Sequence, residues 1–202
     1  NCDWSSDVCS SDLRALIPFC ENKSILGIHL EGPYLAQTRC GAHNPMFLKN
    51  PNLDEIKSLI EISDGHIRMM TIAPELEGAL ESLKYLRTHG IIPAIGHSAG
   101  TYEDAFKAID AGAQLVTHFT NGMSKLIDGA KTFATALLYE CDIYLELIVD
   151  REHVSDTDTQ LIVETAESRL LFVTDAMSAA GKPDGEYKIG SLDVRSEEHT
   201  SE

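Results

Sequence analysis

Two kinds of pattern alternate along this chain. Short apolar runs recur at Ile25–Leu30, Ile67–Ile72, Ile91–Ile95, Leu115–Thr117, Ile143–Val149 and Leu170–Thr174, and each stops at glycine, proline, histidine or an acid. Such runs, bounded by turn residues, predict buried strands. Between them lie stretches in which apolar residues return every three or four positions, the period of a helix buried on one face. Leu53–Ile62 carries Ile56, Leu59 and Ile60 on one side; Leu76–Thr88 sets Leu76, Ala79, Leu80, Leu83 and Leu86 against Glu77, Glu81, Lys84 and Arg87. Tyr102, Ala105, Phe106 and Ile109 make a third helix, which Thr101 with Asp104 would open as a capping box and Gly112 would close. Lys131–Tyr139 and a segment capped by Ser155, with Leu161, Ile162 and Ala166 inward, predict two more. Tyr187–Val194 alternates weakly around Gly190-Ser191, which suggests a hairpin.

Strands alternating with helices indicate a parallel α/β fold, either a doubly wound sheet or a (β/α)₈ barrel. Parallel strands joined by crossover helices point the same way, so their C-terminal ends share one rim. His97 and His118 follow two of the strands, Glu31 and Asp175 end two others, and Asp150 with His153 follows another. In a barrel these positions converge on the mouth where chemistry takes place. Two imidazoles and a carboxylate suit a divalent metal with a position left open for water. Such a metal lowers the pKa of bound water towards about 7, and a further carboxylate can serve as general base and then acid, a role that suits Asp175. The structural alternative fits the other histidines better: His29 alternates into a strand and reads as structural, and His66 and His89 sit at turn and helix ends, where solvated or dipole-facing histidines are common.

The 202 residues suit one domain, and a formal charge of −16 argues against nucleic-acid or anionic-membrane binding. An anionic substrate would then need a local positive site. No apolar run approaches membrane-spanning length and no signal-peptide pattern is present, which makes a soluble cytoplasmic protein the expectation. The five cysteines show neither metal spacing nor an even framework and read as reduced thiols. Residues 1–13 nearly repeat themselves without helical or strand period, and residues 196–202 are all polar; both read as non-native read-through flanking a partial domain over residues 14–195.

Five runs carry a resemblance: GIHLEGPYL (Gly27 to Leu35), GAHN (Gly41 to Asn44), GHSAGTYEDA (Gly96 to Ala105), THFTNGMS (Thr117 to Ser124) and VTDAMSAAG (Val173 to Gly181). In this order they resemble the signatures of the N-acetylglucosamine-6-phosphate deacetylase family of the amidohydrolase superfamily. The resemblance implies an incomplete (β/α)₈ TIM-like barrel of the metal-dependent hydrolase type, whose six strands would be the third to eighth of eight. It implies Glu31, His97 and His118 as metal ligands, Asp175 as catalytic acid/base, and His43, Asn121, Gly122 and His153 as substrate contacts. The metal would be Zn²⁺ first, with Fe²⁺, Mn²⁺ or Co²⁺ as alternatives. The substrate would be the small molecule N-acetylglucosamine 6-phosphate, hydrolysed at its acetamide to acetate and glucosamine 6-phosphate, and the whole protein would be a homodimer. Lacking two strands, the chain by itself would be poorly stable and nearly inactive.

Two departures stand out. Where relatives carry a His-His-Arg-Glu-Pro-Gly run whose arginine meets the phosphate, this chain has Lys125-Leu126-Ile127-Asp128-Gly129, so Lys125 or Lys131 would have to substitute without arginine's bidentate fork. Asp150-Arg151-Glu152-His153 keeps the histidine of an Asp-Gly-x-His motif and loses its glycine. Other readings are an amidohydrolase for a cyclic amide or amino-purine, and a sugar-phosphate-binding protein without catalysis.

Overall fold

A computed structural model describes residues 6–126, 129–177, 179–189 and 192–196, with the side chains of residues 6–9, 192 and 196 left aside. Six parallel strands form one sheet in sequence order: β1 (Ile28–Glu31), β2 (Ile67–Ile72), β3 (Ile92–Ile95), β4 (Leu115–Val116), β5 (Tyr144–Ile148) and β6 (Leu170–Val173). Helices α2 (Leu53–Ile62), α3 (Ala79–Thr88), α4 (Tyr102–Asp110), α5 (Phe133–Tyr139) and α6 (Asp156–Ala166) connect them. Sequence-ordered parallel pairing with a helix at each crossover is the arrangement of one arc of a barrel wall. The separate hairpin of β7 (Gly185–Ile189) and β8 (Leu192–Ser196) is antiparallel, and the Gly190-Ser191 turn expected at its tip lies outside the described residues.

The helix starts follow from their caps. Asn52 accepts from the Asp54 and Glu55 amides at α2, and Thr101 with Asp104 closes the capping box of α4 in both directions. Thr132 and Thr135 form a second capping box, so α5 begins at Phe133 rather than at Lys131. Helix α3 begins three residues later than the periodicity predicts, because Gly78 at its N-cap takes φ 82 and Leu76 packs as part of a turn. Helix α5 has no basic residue in its last turn. Arg169 serves instead, donating to the carbonyls of Leu137, Leu138, Cys141 and Ile143 at 2.7–3.4 Å.

The segment read as patternless is only partly so. Ser6–Glu21 forms a helix, α1, that packs on α2 and β1, with Leu13 1 % exposed and Cys20 against the same core. One leucine at the right place fixes this docking, too little for a period to be read from residues 1–13 alone.

The two faces of the sheet differ. Under the helices, Leu30, Met70, Ile72, Ile95, Val116, Leu145 and Leu147 are each 4 % exposed or less. On the opposite face the register aligns His29 with Met69 and Ile92, Leu115 with Tyr144, and Glu146 with Leu171. Ile92, Tyr144 and Leu171 there are 38, 53 and 44 % exposed. Phe172, on the helix side of β6, is 62 % exposed, since no helix follows that strand among the described residues. No helix among them is long and apolar enough to cross a membrane.

Candidate metal and catalytic site

Just beyond β3, β4 and β6, four residues with side chains hold left-handed backbone: His97 (φ 45), His118 (φ 30), Thr120 (φ 71) and Asp175 (φ 49). For residues with a Cβ that conformation costs about 1 kcal/mol or more each. Three of the four are residues that the sequence singles out for chemistry. Leaving the strand in this conformation turns the side chain back across the rim rather than onward into the next helix.

The turned side chains meet. Glu31 Oε1 lies 2.7 Å from His118 Nε2 and 3.1 Å from His97 Nε2, and the two imidazole nitrogens are 3.1 Å apart. The His97 and His118 rings stand nearly perpendicular at 88°, with centroids 4.8 Å apart. Both histidines are buried and Glu31 is about a quarter exposed. Burial by itself pushes the Glu31 carboxyl up, but hydrogen bonds from the two imidazoles outweigh this and hold it far below the usual carboxylate range. Burial lowers the His118 pKa, and the adjacent Glu31 carboxylate more than reverses this, for a net rise.

The donor set fits a divalent metal. Ligands about 2.0–2.2 Å from one ion stand roughly 3.3 Å from each other, close to the separations here. His97 Nδ1 is 2.6 Å from the Arg39 carbonyl. Only N–H can donate to a carbonyl, so Nδ1 carries a proton, and Nε2 is the nitrogen directed at Glu31 and His118 and the one a metal would take. The His97 ring is also boxed in: a Cβ at Gly41 would fall 2.9 Å from Cε1, and one at Gly122 would fall 2.8 Å from Nδ1. Both glycines have positive φ, 57 and 60.

His43 sits on the other side of His97, ring centroids 5.1 Å apart, with Nδ1 3.0 Å from the Cys40 carbonyl and Nε2 3.2 Å from that of Glu31. Burial lowers its pKa, which favours the neutral ring. Glu31, His43 and His97 also offer donor atoms within 4.8 Å of one another, so His43 is a further potential ligand. Asp175 lines a cavity of about 300 Å³ with His29, Glu31, Thr117, His118, Glu146 and Val173. Asn121 and Gly122 sit on the loop after His118, and the Asn121 Nδ2, Thr120 Oγ1 and His118 Nδ1 atoms are buried without a hydrogen-bond partner. His153 is not drawn into the cavity: half-exposed, it donates from Nδ1 to Asp150 Oδ2 at 2.5 Å. Backbone N–H groups of His153 and Glu152 with that imidazole lower the Asp150 pKa to about 2. A larger cleft of about 540 Å³ lies outside, among Tyr102, Lys131, Tyr139 and Leu161, and contains none of these residues.

Sequence reasoning passed over three side chains. His29, read as structural, faces the cavity, and its Nε2 is 2.7 Å from Thr71 Oγ1, which in turn is 2.7 Å from Thr117 Oγ1. Burial raises the pKa of Glu146 on β5, whose Oε2 accepts from the His118 amide at 3.4 Å. Glu75 follows β2 and bonds to the residues just after His97. Each had a signal: a charged or titratable residue in an apolar strand run, or directly after one.

No family model matches the chain. It is 37 % identical over 171 residues to an N-acetylgalactosamine-6-phosphate deacetylase of Escherichia coli O157:H7, covering 85 % of this chain and 45 % of that protein. It is 35 % identical over 174 residues to an N-acetylglucosamine-6-phosphate deacetylase of Vibrio furnissii, covering 86 % and 44 %. Among solved structures, a mutant N-acetyl-D-glucosamine-6-phosphate deacetylase of Mycobacterium smegmatis in complex with N-acetyl-D-glucosamine-6-phosphate superposes with TM-score 0.89 at 37 % identity, over 94 % of this chain and 50 % of that one. The Thermotoga maritima N-acetylglucosamine-6-phosphate deacetylase gives TM-score 0.87 at 32 % identity, over 98 % and 54 %. The chain thus spans about half the length of the proteins it matches.

Proposed function

We propose that this chain is the metal-binding arc of an N-acetylhexosamine-6-phosphate deacetylase, and that its six parallel strands are the third to eighth of a (β/α)₈ barrel. The observation that carries the reading is the convergence of Glu31, His97 and His118 on one point, with the His97 tautomer fixed by the Arg39 carbonyl. The similarity to both glucosamine and galactosamine deacetylases supports an N-acetylated amino-sugar phosphate as substrate.

In this reading Glu31, His97 and His118 hold a divalent metal, Zn²⁺ first. Bound there, it supplies Lewis acidity and a water of lowered pKa. Asp175, on the wall of the same cavity as His118, accepts a proton as the acetamide is attacked and returns it to the departing amine. His153 keeps its Nδ1 proton on Asp150, which leaves Nε2 to face a substrate oxygen. His43 and the Asn121-Gly122 backbone contact the sugar, and the unpaired Asn121 amide is a donor that such a ligand would satisfy.

Of the two lysines available for phosphate, Lys125 suits better. Its Nζ donates to the Thr120 carbonyl beside Asn121 at 3.0 Å, whereas Lys131 lies over the Tyr102 ring and lines the outer cleft. The full protein is a cytoplasmic homodimer, and this arc alone turns over little substrate.

Elemental analysis and acetate release test the reading together. Near one Zn²⁺ per chain, lost in a His97→Ala, His118→Ala double variant, supports the site. Acetate from N-acetylglucosamine 6-phosphate by a protein carrying the complete barrel, reduced at least a thousandfold by Asp175→Asn, supports the reaction. Turnover of a cyclic amide without acetate release would favour the amidohydrolase alternative that the altered 125–129 loop allows.

A further inference from the structure

The conformation of His97 is held from a direction that no metal ligand occupies. Its carbonyl accepts from the Ala36 amide at 3.0 Å and its ring is fixed by Arg39, Gly41 and Gly122, all on loops from elsewhere. None of these contacts restrains the chain immediately after it, Ser98-Ala99-Gly100, which must turn sharply to reach the Thr101 cap of α4. Glu75, on the loop following β2, does. One carboxylate oxygen accepts from Ser98 Oγ at 2.7 Å and the other from the Ala99 amide at 2.6 Å, while Ser98 Oγ accepts from the Gly100 amide at 2.9 Å.

Ser98 is fully buried. Charge-assisted hydrogen bonds to both oxygens of one carboxylate are short and directional, and they set the orientation of what they hold. A Cβ at Gly100 would fall 2.9 Å from Ser98 Oγ, so the bonded turn has room only for glycine at this position. The left-handed backbone of His97, φ 45, is followed at once by two residues bonded to Glu75 and a third bonded to Ser98 Oγ.

We propose that Glu75 is a positioning residue for His97: by clasping Ser98 and Ala99 it holds the His97 backbone in its left-handed conformation, and so keeps Nε2 aimed at Glu31 and His118. The functional value of that aim rests on the metal-site reading above; the clasp does not. Glu75 touches neither metal nor substrate, and it acts by limiting where the imidazole points. Outer groups that orient a ligand in this way typically change metal affinity by about 10–100-fold when removed.

The test uses the whole chain in two states. In the metal-free chain, the ¹⁵N and ¹H resonances of the His97 Nδ1–H report its bond to Arg39. Glu75→Ala is expected to broaden or remove that signal by speeding its exchange with solvent at least about tenfold, with β3 amides such as Ala94 unchanged. Zn²⁺ affinity, read by competition with a chelator, is expected to fall about 10–100-fold. Glu75→Gln retains one acceptor and should fall between the two, and it serves if Glu75→Ala does not fold. An unchanged His97 Nδ1–H signal, or exchange that quickens equally across β3, overturns the proposal. Absence of Zn²⁺ binding by the unaltered chain would sink the metal site instead, and the metal-free resonances would still decide the clasp.

Discussion

The rim of this sheet is finished at one end and open at the other. Where β1, β3 and β4 end, the three clustered residues are bonded to their neighbours: Glu31 to the imidazoles of His97 and His118, His97 to Arg39, and the turn beyond it to Glu75. Where β5 and β6 end, His153 is half-exposed and bonded to Asp150, and Asp175 lines a cavity with no strand beyond β6 in this sheet among the described residues. β1 is an edge strand as much as β6 is, but the loop after it folds back over the rim, where the Arg39 carbonyl meets the His97 ring and His43 meets the Glu31 carbonyl. The first half of the rim is therefore preorganised without ligand, and the second depends on what packs beside β6. In the proposed reading, with the metal on one half and Asp175 on the other, turnover needs both halves in place.

The largest effect expected from this contrast falls on the bonded half. His118→Ala should weaken Zn²⁺ binding more than about 100-fold, beyond the loss of any outer group, whereas His153→Ala should leave it within about twofold; equal losses in chelator competition would erase the distinction. Next comes the strut beneath the open half. Arg169→Ala frees four carbonyls near the end of α5, and should cost about 2–3 kcal/mol, read in urea melts, without changing Zn²⁺ stoichiometry. Gly41→Ala should cost about 1–2 kcal/mol for its φ of 57 and also weaken Zn²⁺ binding, because the new Cβ presses on the His97 ring. Loss of stability with metal binding intact would show that the ring has room to move.

The smallest effect is a titration. Asp150 has its folded pKa lowered, to about 2, so its contribution to stability is present above its unfolded value near 4 and is lost as pH falls between the two. The His153 backbone N–H is the first cause and the imidazole a lesser one. Carboxyl NMR should therefore find Asp150 still depressed in His153→Ala, raised only part of the way; a return to the ordinary value would mean that the side chain carries the interaction.

Much of this was legible in the residues. Helix α2 and strand β2 follow their predicted bounds, the Thr101 capping box is present, and the six apolar runs are the six strands. Chain order and strand direction together set Glu31, His97 and His118 on one rim, since parallel crossovers leave no other choice. These are local or topological facts: period, cap and direction are written in neighbouring residues. Which nitrogen of His97 faces the carboxylate, that Gly41 and Gly122 box its ring, that Glu75 holds the turn behind it, and that His29 and Glu146 face the cavity are of another kind. Each depends on atoms brought close from loops dozens of residues apart. Pairings at that range leave no period in the sequence, and only the folded chain decides them.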